Sequence, residues 1–290
     1  MKIAGNKLAH LQAYYLSELK PLMQLSEVEA QFALVVEHYL GIPKKKLLTS
    51  MHENLNQSDV LDIYDACKAI KKQIPIQYVL GEAYFYDMPF IVNDSVLIPR
   101  PETEELVSII LKEKLNYKSA LDIGTGSGCI PITLKKHSPL CDVSACDIST
   151  EALSTAEKNA VKFKSPVHFF NCDILSTEAD AYLNEKTFDL IISNPPYILE
   201  SEKAQIEAPV LNHEPHTALF VFDSDPILFY RRIIQLCEKH LNAGAHLFFE
   251  LNPITAQEVR NFATSTGLFQ TIELINDMSG KSRFLKAVKK

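Results

Sequence analysis

Apolar positions change their spacing twice along the chain. Up to about residue 80 they recur three and four apart, the repeat of an amphipathic helix. Phe32, Leu34, Val35, Val36, Tyr39 and Leu40 supply one such face, with Gly41 and Pro43 as its stop. Ser26-Glu27-Val28-Glu29 ahead of it has the form of a capping box, Ser26 accepting from the Glu29 N–H while Glu29 reaches back. A second helix is expected from about Ser58, with Val60, Ile63, Tyr64, Cys67 and Ile70 on one side. The lysine runs at 44–46 and 71–72 read as solvated faces. Between 82 and 92 the spacing changes to strand-like, with segments 82–86 and 89–92 turning at Asp87-Met88. Pro101 then sits at a helix start, where Glu102, Glu104 and Glu105 occupy the turn that the helix dipole makes favourable for anions.

Beyond residue 118 short apolar runs alternate with helical stretches. Strands are expected at 119–123, 142–146, 167–170, 188–193, 245–250, 270–274 and 284–288. Helices separate the earlier ones, which predicts an open, doubly wound α/β sheet, mostly parallel. No helical pattern lies between the last two, so an antiparallel hairpin should close one edge. The expected organisation is a helical domain over 1–80, a hairpin linker over 81–97 and an α/β domain over 98–290. No internal repeat is visible.

Composition narrows the classes. Hydrophobic residues make up 47% of the 290, enough for a real core and against disorder. Lys and Arg total 29 against 36 acids, a net charge of −7 that lacks the basic footprint of a protein living on bare nucleic acid. The N-terminus has no signal-peptide core, and no apolar run reaches membrane-spanning length, so no membrane is expected. Six cysteines without CxxC spacing read as buried, reduced thiols of a cytoplasmic protein, with no metal site.

The chemistry starts where the first strand of the α/β domain turns into a helix, at Gly124-Thr125-Gly126-Ser127-Gly128. Glycines there let backbone approach a ligand closely. A P-loop needs Lys-Ser/Thr after its last glycine, and Cys129-Ile130 stands there instead. A dinucleotide fingerprint would place its third glycine one residue later. A plain strand–helix turn needs no three glycines. Asp147, roughly 20 residues on, ends the next strand where an acid binds ribose hydroxyls; it can cap the following helix as well. Asp173, with Ile174, follows the third strand, and helix capping is its alternative role.

Asn194-Pro195-Pro196-Tyr197 leaves the carboxyl end of the strand over 188–193, the end where open α/β sheets bind ligands. The prolines have no N–H, so the turn offers carbonyls without competing donors, and Asn194 adds a side-chain carbonyl. That acceptor set suits an –NH₂ group with two protons to give. An amide or aromatic amine nitrogen is a weak nucleophile because its lone pair is delocalised. Two acceptors holding its protons orient that lone pair and stabilise positive charge developing on nitrogen. Tyr197 can stack on a planar group. A proline-rich turn without chemistry is the bland alternative.

The glycine spacing is similar to the first motif of class I methyltransferases, whose loop packs against the methionine portion of S-adenosylmethionine. In them the neighbourhood of Asp173 and Ile174 meets the adenine. Asn194–Tyr197 resembles the motif of adenine and cytosine amino-methyltransferases of nucleic acids and of protein glutamine methyltransferases. Ile98-Pro99-Arg100-Pro101-Glu102-Thr103-Glu104-Glu105-Leu106-Val107, preceded by Gln77-Tyr78-Val79-Leu80-Gly81-Glu82 and Phe85, resembles release factor glutamine methyltransferases, as does Glu214-Pro215 followed by Ala218-Leu219. The resemblance covers nearly the whole length. It implies a seven-stranded Rossmann-like sheet and methyl transfer to the glutamine of the Gly-Gly-Gln loop of class I release factors, gripped by the helical domain. It assigns Gly124, Thr125, Gly126, Ser127, Gly128, Asp147, Asp173, Ile174 and Asn194 to the cofactor, with Arg100 and Glu102 on its side. Asn194, Pro195, Pro196 and Tyr197 would hold the glutamine, with Asn194, Pro195 and Tyr197 catalytic. A DNA or RNA N6-adenine methyltransferase is the alternative; it would need a target-reading module and a basic surface, and neither is visible. Leu251-Asn252-Pro253 departs from relatives, which often carry a Gly-containing turn there.

Overall fold

The computed structural model describes residues 5–183 and 186–290. They divide into two units, one ending at Glu82 and including Ala208–His213, the other formed by Ala83–Glu207 and Glu214–Lys290.

The first unit is helical, as its periodicity predicts: α1 (Leu8–Leu19), α2 (Leu25–Leu40), α3 (Leu47–Ser50), α4 (Gln57–Lys71) and α5 (Ile76–Leu80). Leu11, Tyr15, Phe32, Val36, Ile63 and Cys67 form its core, and the buried Tyr15 hydroxyl donates to the Ile63 carbonyl at 2.8 Å. The capping box expected at Ser26 does not form. The Gln24 carbonyl already takes the N–H groups of Glu27 and Val28, so α2 starts before Ser26 and leaves it inside the first turn. α4 does have a side-chain cap, Asn56 accepting from the Asp59 N–H at 2.9 Å. The lysines at 44–46, 71 and 72 are exposed.

The second unit opens with a hairpin, β1 (Glu82–Phe85) and β2 (Met88–Ile91). Its turn falls at Tyr86-Asp87, one residue earlier than expected, with φ of +53° and +58°. Two positive φ values give the two-residue turn whose twist matches its strands. α6 (Pro101–Lys112) begins at Pro101 as expected and buries Thr103, Leu106, Val107 and Ile110, one helical stripe.

The remainder of the chain runs β3 (Ser119–Ile123), α7 (Cys129–His137), β4 (Asp142–Asp147), α8 (Thr150–Phe163), β5 (His168–Asn171), α9 (Ala179–Leu183), β6 (Phe188–Ser193), β7 (Ile198–Leu199), α10 (Ala208–His213, which belongs to the first unit), α11 (His216–Leu219), β8 (Phe220–Val221), α12 (Leu228–His240), β9 (Leu241–Glu250), α13 (Ala256–Ser265), β10 (Phe269–Asn276) and β11 (Ser282–Lys289). β7 and β8 form a small parallel pair. The main sheet has seven strands in the order β10-β11-β9-β6-β3-β4-β5. β9, β6, β3, β4 and β5 are mutually parallel, and β11 and β10 close one edge antiparallel. Every expected strand is present. β9 starts earlier than expected because Asn242-Ala243-Gly244, which reads as a turn, is a bulge opposite β6 with Gly244 at φ +75°.

Strand alternation sends Leu121, Ile123, Ile191 and Phe249 to one face, packed with α12 and α13. Ala120, Leu190, Ile192 and Phe248 go to the other, packed with α6 and α7. The chain reverses its direction of sheet growth between β3 and β6, so these neighbours splay their following loops apart at their carboxyl ends. Such a switch point is where open α/β sheets bind ligands. No helix among the described residues is long and apolar enough to cross a membrane.

Candidate active site

The Ile123–Ser193 pairing puts Gly124 and Asn194 side by side at the switch point. The Ser193 hydroxyl ties the two strand ends by donating to the Ile123 carbonyl at 2.6 Å. A cavity of about 340 Å³ opens over them. Gly124, Gly126, Asp147, Asp173, Ile174, Asn194, Pro195 and Pro196 all line it. Val96 and Leu97, Pro215 and Ala218, and Phe229 supply further walls.

The three glycines do different things. A Cβ on Gly124 or Gly126 would meet no protein atom within 4 Å, so the space above them is free for a ligand. A Cβ on Gly128 would come within 3.0 Å of Ile132, 3.1 Å of the Ala156 Cβ and 3.3 Å of the Ala156 Cα. Gly128 therefore serves the packing of α7 on α8, and it does not line the cavity. Thr125 and Ser127 are buried beneath the loop, outside the lining. Asn159, fully buried in α8, donates to the Ser127 and Ile91 carbonyls at 2.9 Å each and accepts from the Ile91 N–H at 2.7 Å. It thus fastens the loop to β2, a role that nothing in its sequence neighbourhood announces.

Asp147 holds the loop from the opposite side. Its carboxylate accepts from the Gly126 N–H at 2.8 Å and the Ser149 N–H at 3.0 Å, so capping and cavity roles coexist. Burial raises its pKa above the usual carboxylate range, and these N–H groups oppose the rise. Asp173 is exposed, and its carboxylate accepts from the Leu175 N–H at 2.9 Å. Beneath the loop lies Asp122, wholly buried. Burial pushes its carboxyl up to about 7, with the Asp147 charge adding to the rise and Thr125 opposing it.

The Asn194–Tyr197 segment is anchored from outside the cavity. The Asn194 Nδ2 donates to the Thr103 Oγ1 at 3.1 Å, and the Thr103 hydroxyl donates to the Glu250 Oε2 at 2.7 Å. The Tyr197 hydroxyl donates to the other Glu250 oxygen at 3.0 Å. The Tyr197 ring packs against the sheet-face core and is not among the cavity walls. Glu250 is buried, which raises its pKa, while Thr103, Tyr197 and Arg283 pull it down. The buried Asn252 donates to the Tyr197 carbonyl at 3.0 Å and the Glu202 carboxylate at 2.8 Å. The unusual Leu251-Asn252-Pro253 turn therefore supports the segment. Glu214, also buried, accepts from the Ile98 N–H at 3.2 Å and from Arg100 at 2.6 Å. That pair ties the cavity wall at 95–97 to the wall at 215–218. Arg100 and Glu102 are absent from the lining. Sequence alone marks Thr103, Glu214 and Glu250 only by their places in motifs or at a strand end.

The cavity suits a nucleoside-bearing sulfonium cofactor. Bare backbone stands over open space at Gly124 and Gly126, a carboxylate faces the cavity at Asp147, and Ile148, Ile174 and Phe229 give apolar walls for a base. Its volume lies at the lower end of the ligand-pocket range, about 300–1,000 Å³. Fold and site together define a class I methyltransferase. Residues 102–214 match the Methyltransferase small domain, and residues 15–81 match the PrmC N-terminal domain. The crystal structure of a methyltransferase from Pyrococcus furiosus superposes with a TM-score of 0.51 at 18% identity, covering 81% of this chain and 99% of that one. The human methyltransferase 10 domain containing protein gives a TM-score of 0.50 at 16% identity, over 71% of this chain and 89% of that one.

Sequence relatives narrow the class. The release factor glutamine methyltransferase of Flavobacterium psychrophilum is 40% identical over 94% of this chain and 95% of its own. The proteins of that name from Bacteroides thetaiotaomicron and Bacillus subtilis are 38% and 33% identical, over 96% and 92% of this chain and 98% and 93% of theirs. The chain belongs to the release factor glutamine methyltransferases, enzymes that use S-adenosylmethionine.

Proposed function

We propose that the cavity transfers a methyl group to the side-chain amide nitrogen of the glutamine in the Gly-Gly-Gln loop of class I release factors. The observation that carries this reading is the acceptor set at the carboxyl end of β6. The Asn194 amide is engaged through its nitrogen, which leaves its carbonyl oxygen beside two prolines that have no N–H. Gly124, Gly126, Asp147, Asp173 and Ile174 bind and orient the cofactor, with Asp147 taking the ribose hydroxyls, while Thr125, Ser127 and Gly128 hold the loop in place beneath it. When bound, the cofactor supplies an electrophilic methyl group on sulfur.

Asn194 and the Pro195 carbonyl accept the two protons of the glutamine –NH₂ in hydrogen bonds and turn its lone pair towards that methyl. The nitrogen would become positive as the N–C bond formed and the methyl–sulfur bond broke, its electron pair returning to sulfur, which would strengthen both hydrogen bonds at the moment of transfer. One proton then leaves to solvent. Pro196 shapes the turn, and Tyr197 fixes it through Glu250. In this reading residues 1–80 form the domain that grips the release factor, 81–97 the linker and 98–290 the catalytic domain. Ribosomal termination makes the cytoplasm the compartment.

Incubation of the protein and S-adenosylmethionine with a purified class I release factor tests the reading. Mass spectrometry should find one methyl on the Gly-Gly-Gln glutamine, and a Gln→Ala release factor should take none. Undiminished labelling of the alanine variant would sink it.

A further inference from the structure

We propose that Thr103 and Glu250 are positioning residues that fix which end of the Asn194 amide faces the substrate. The proposal rests on Asn194 being the residue that holds the glutamine.

A side-chain amide has a carbonyl at one end and an –NH₂ at the other, nearly equal in shape. Rotated one way, Asn194 accepts a proton from the substrate amide. Rotated the other, it sets a donor against a donor. Shape cannot choose between these rotamers, so hydrogen-bond direction must.

The direction is set from Glu250. An ionised carboxylate only accepts. Its two oxygens are approached by two hydroxyls, Thr103 at 2.7 Å and Tyr197 at 3.0 Å, and both donate to it. The single Thr103 proton is thereby used, and its oxygen can only accept from its remaining neighbour. That neighbour, at 3.1 Å, is the Asn194 amide, which must present its –NH₂. The carbonyl end is then left for the cavity. Glu250 is 1% exposed and Thr103 3%, so water cannot readily replace either partner. The same carboxylate holds Tyr197, so one buried charge sets both the orientation of Asn194 and the seat of its loop.

These contacts link three elements far apart in the chain, α6, the loop after β6 and the end of β9. None of the anchoring groups lines the cavity. Their influence on transfer therefore passes through Asn194.

Thr103→Val keeps the shape and removes the hydroxyl, so it frees the amide to rotate. The test compares wild type, T103V, T103S and N194A for methylation of a release factor, with cofactor affinity and stoichiometry measured directly. T103V should lose kcat by ~10-fold or more, on the scale of removing one aligned transition-state hydrogen bond. Its cofactor stoichiometry should stay intact and its KM for the release factor should shift far less than kcat. T103S, which restores the hydroxyl, should recover most of the loss. Binding stoichiometry counts folded sites, so misfolding cannot imitate this pattern. A T103V protein that binds cofactor normally and keeps wild-type kcat overturns the proposal, as does a T103S protein no better than T103V. If N194A itself methylates at the wild-type rate, the reading of Asn194 falls; if N194A is dead while T103V is fully active, only the orientation proposal falls.

Discussion

A glycine's role depends on what stands over its Cα. Gly126 and Gly128 both have positive φ, +55° and +79°, yet their surroundings are opposite. Alanine at either position carries the left-handed backbone penalty, about 1–2 kcal/mol. At Gly128 the new methyl also meets Ala156 and Ile132, adding an overpacking cost of about 1–3 kcal/mol. Chemical denaturation should therefore show G128A losing clearly more stability than G126A. Isothermal titration with S-adenosylmethionine should give the converse ranking, G126A losing more affinity per unit of stability lost. Equal losses in both measurements would contradict the division between packing and ligand approach. The spacing of these glycines was legible in the sequence because a turn is a local object. Their division of labour was not, because Ala156 belongs to another helix.

At the level of elements, the cavity is made by segments that enter from different parts of the chain. β3 and β6 supply its floor, and the stretches at 95–97 and 215–218 supply facing walls. Glu214 holds those walls together through the Ile98 N–H and Arg100. Removing the carboxylate takes the acceptor from the Ile98 N–H and from Arg100, and a hydrogen bond to a charged group contributes about 1.5–3 kcal/mol. Glu214→Ala should thus lower stability by roughly 2 kcal/mol, because the Arg100 it leaves behind is 31% exposed and takes up water, and it should weaken S-adenosylmethionine binding as the walls separate. Glu214→Gln keeps an acceptor for Ile98 and should fall between the alanine variant and wild type in both respects. A cofactor affinity unchanged in E214A would show that the clamp does not shape the cavity. Glu214-Pro215 could be noted in the sequence as part of a motif. That Glu214 reaches back to Arg100 follows from the sheet bringing two loops to one rim.

For the whole molecule, the buried Asp122 couples folding to pH. Its folded pKa, about 7, lies well above the 3.8 of an ordinary aspartate, so the folded state prefers the neutral carboxyl. Its contribution to stability is complete below pH 3.8 and is lost as pH rises through 7. At about 1.36 kcal/mol per unit, the swing reaches at most about 4 kcal/mol. Denaturant unfolding of cofactor-free wild type and D122N at several pH values between 4 and 8 measures it. Relative to D122N, wild type should lose stability steadily as pH rises. Parallel curves would show that Asp122 does not titrate in this window.

The sequence by itself determined the strands, the mostly parallel α/β plan, the glycine turn and the acceptor-rich Asn194–Tyr197 segment. Each depends on the spacing or chemistry of residues a few positions apart. It misjudged Ser26 and the start of β9, where hydrogen bonds to neighbouring backbone decided the outcome against local preference. Tertiary structure alone decided the partners of the site. Thr103 meets Asn194 across 91 positions and Glu250 across 147, and Tyr197 meets Glu250 across 53. Strand order sets those meetings, and the direction of each hydrogen bond is fixed only once a buried carboxylate has used the hydroxyls around it. A sequence can show that Asn194 has a carbonyl to offer; the packing of α6, β6 and β9 determines where that carbonyl points.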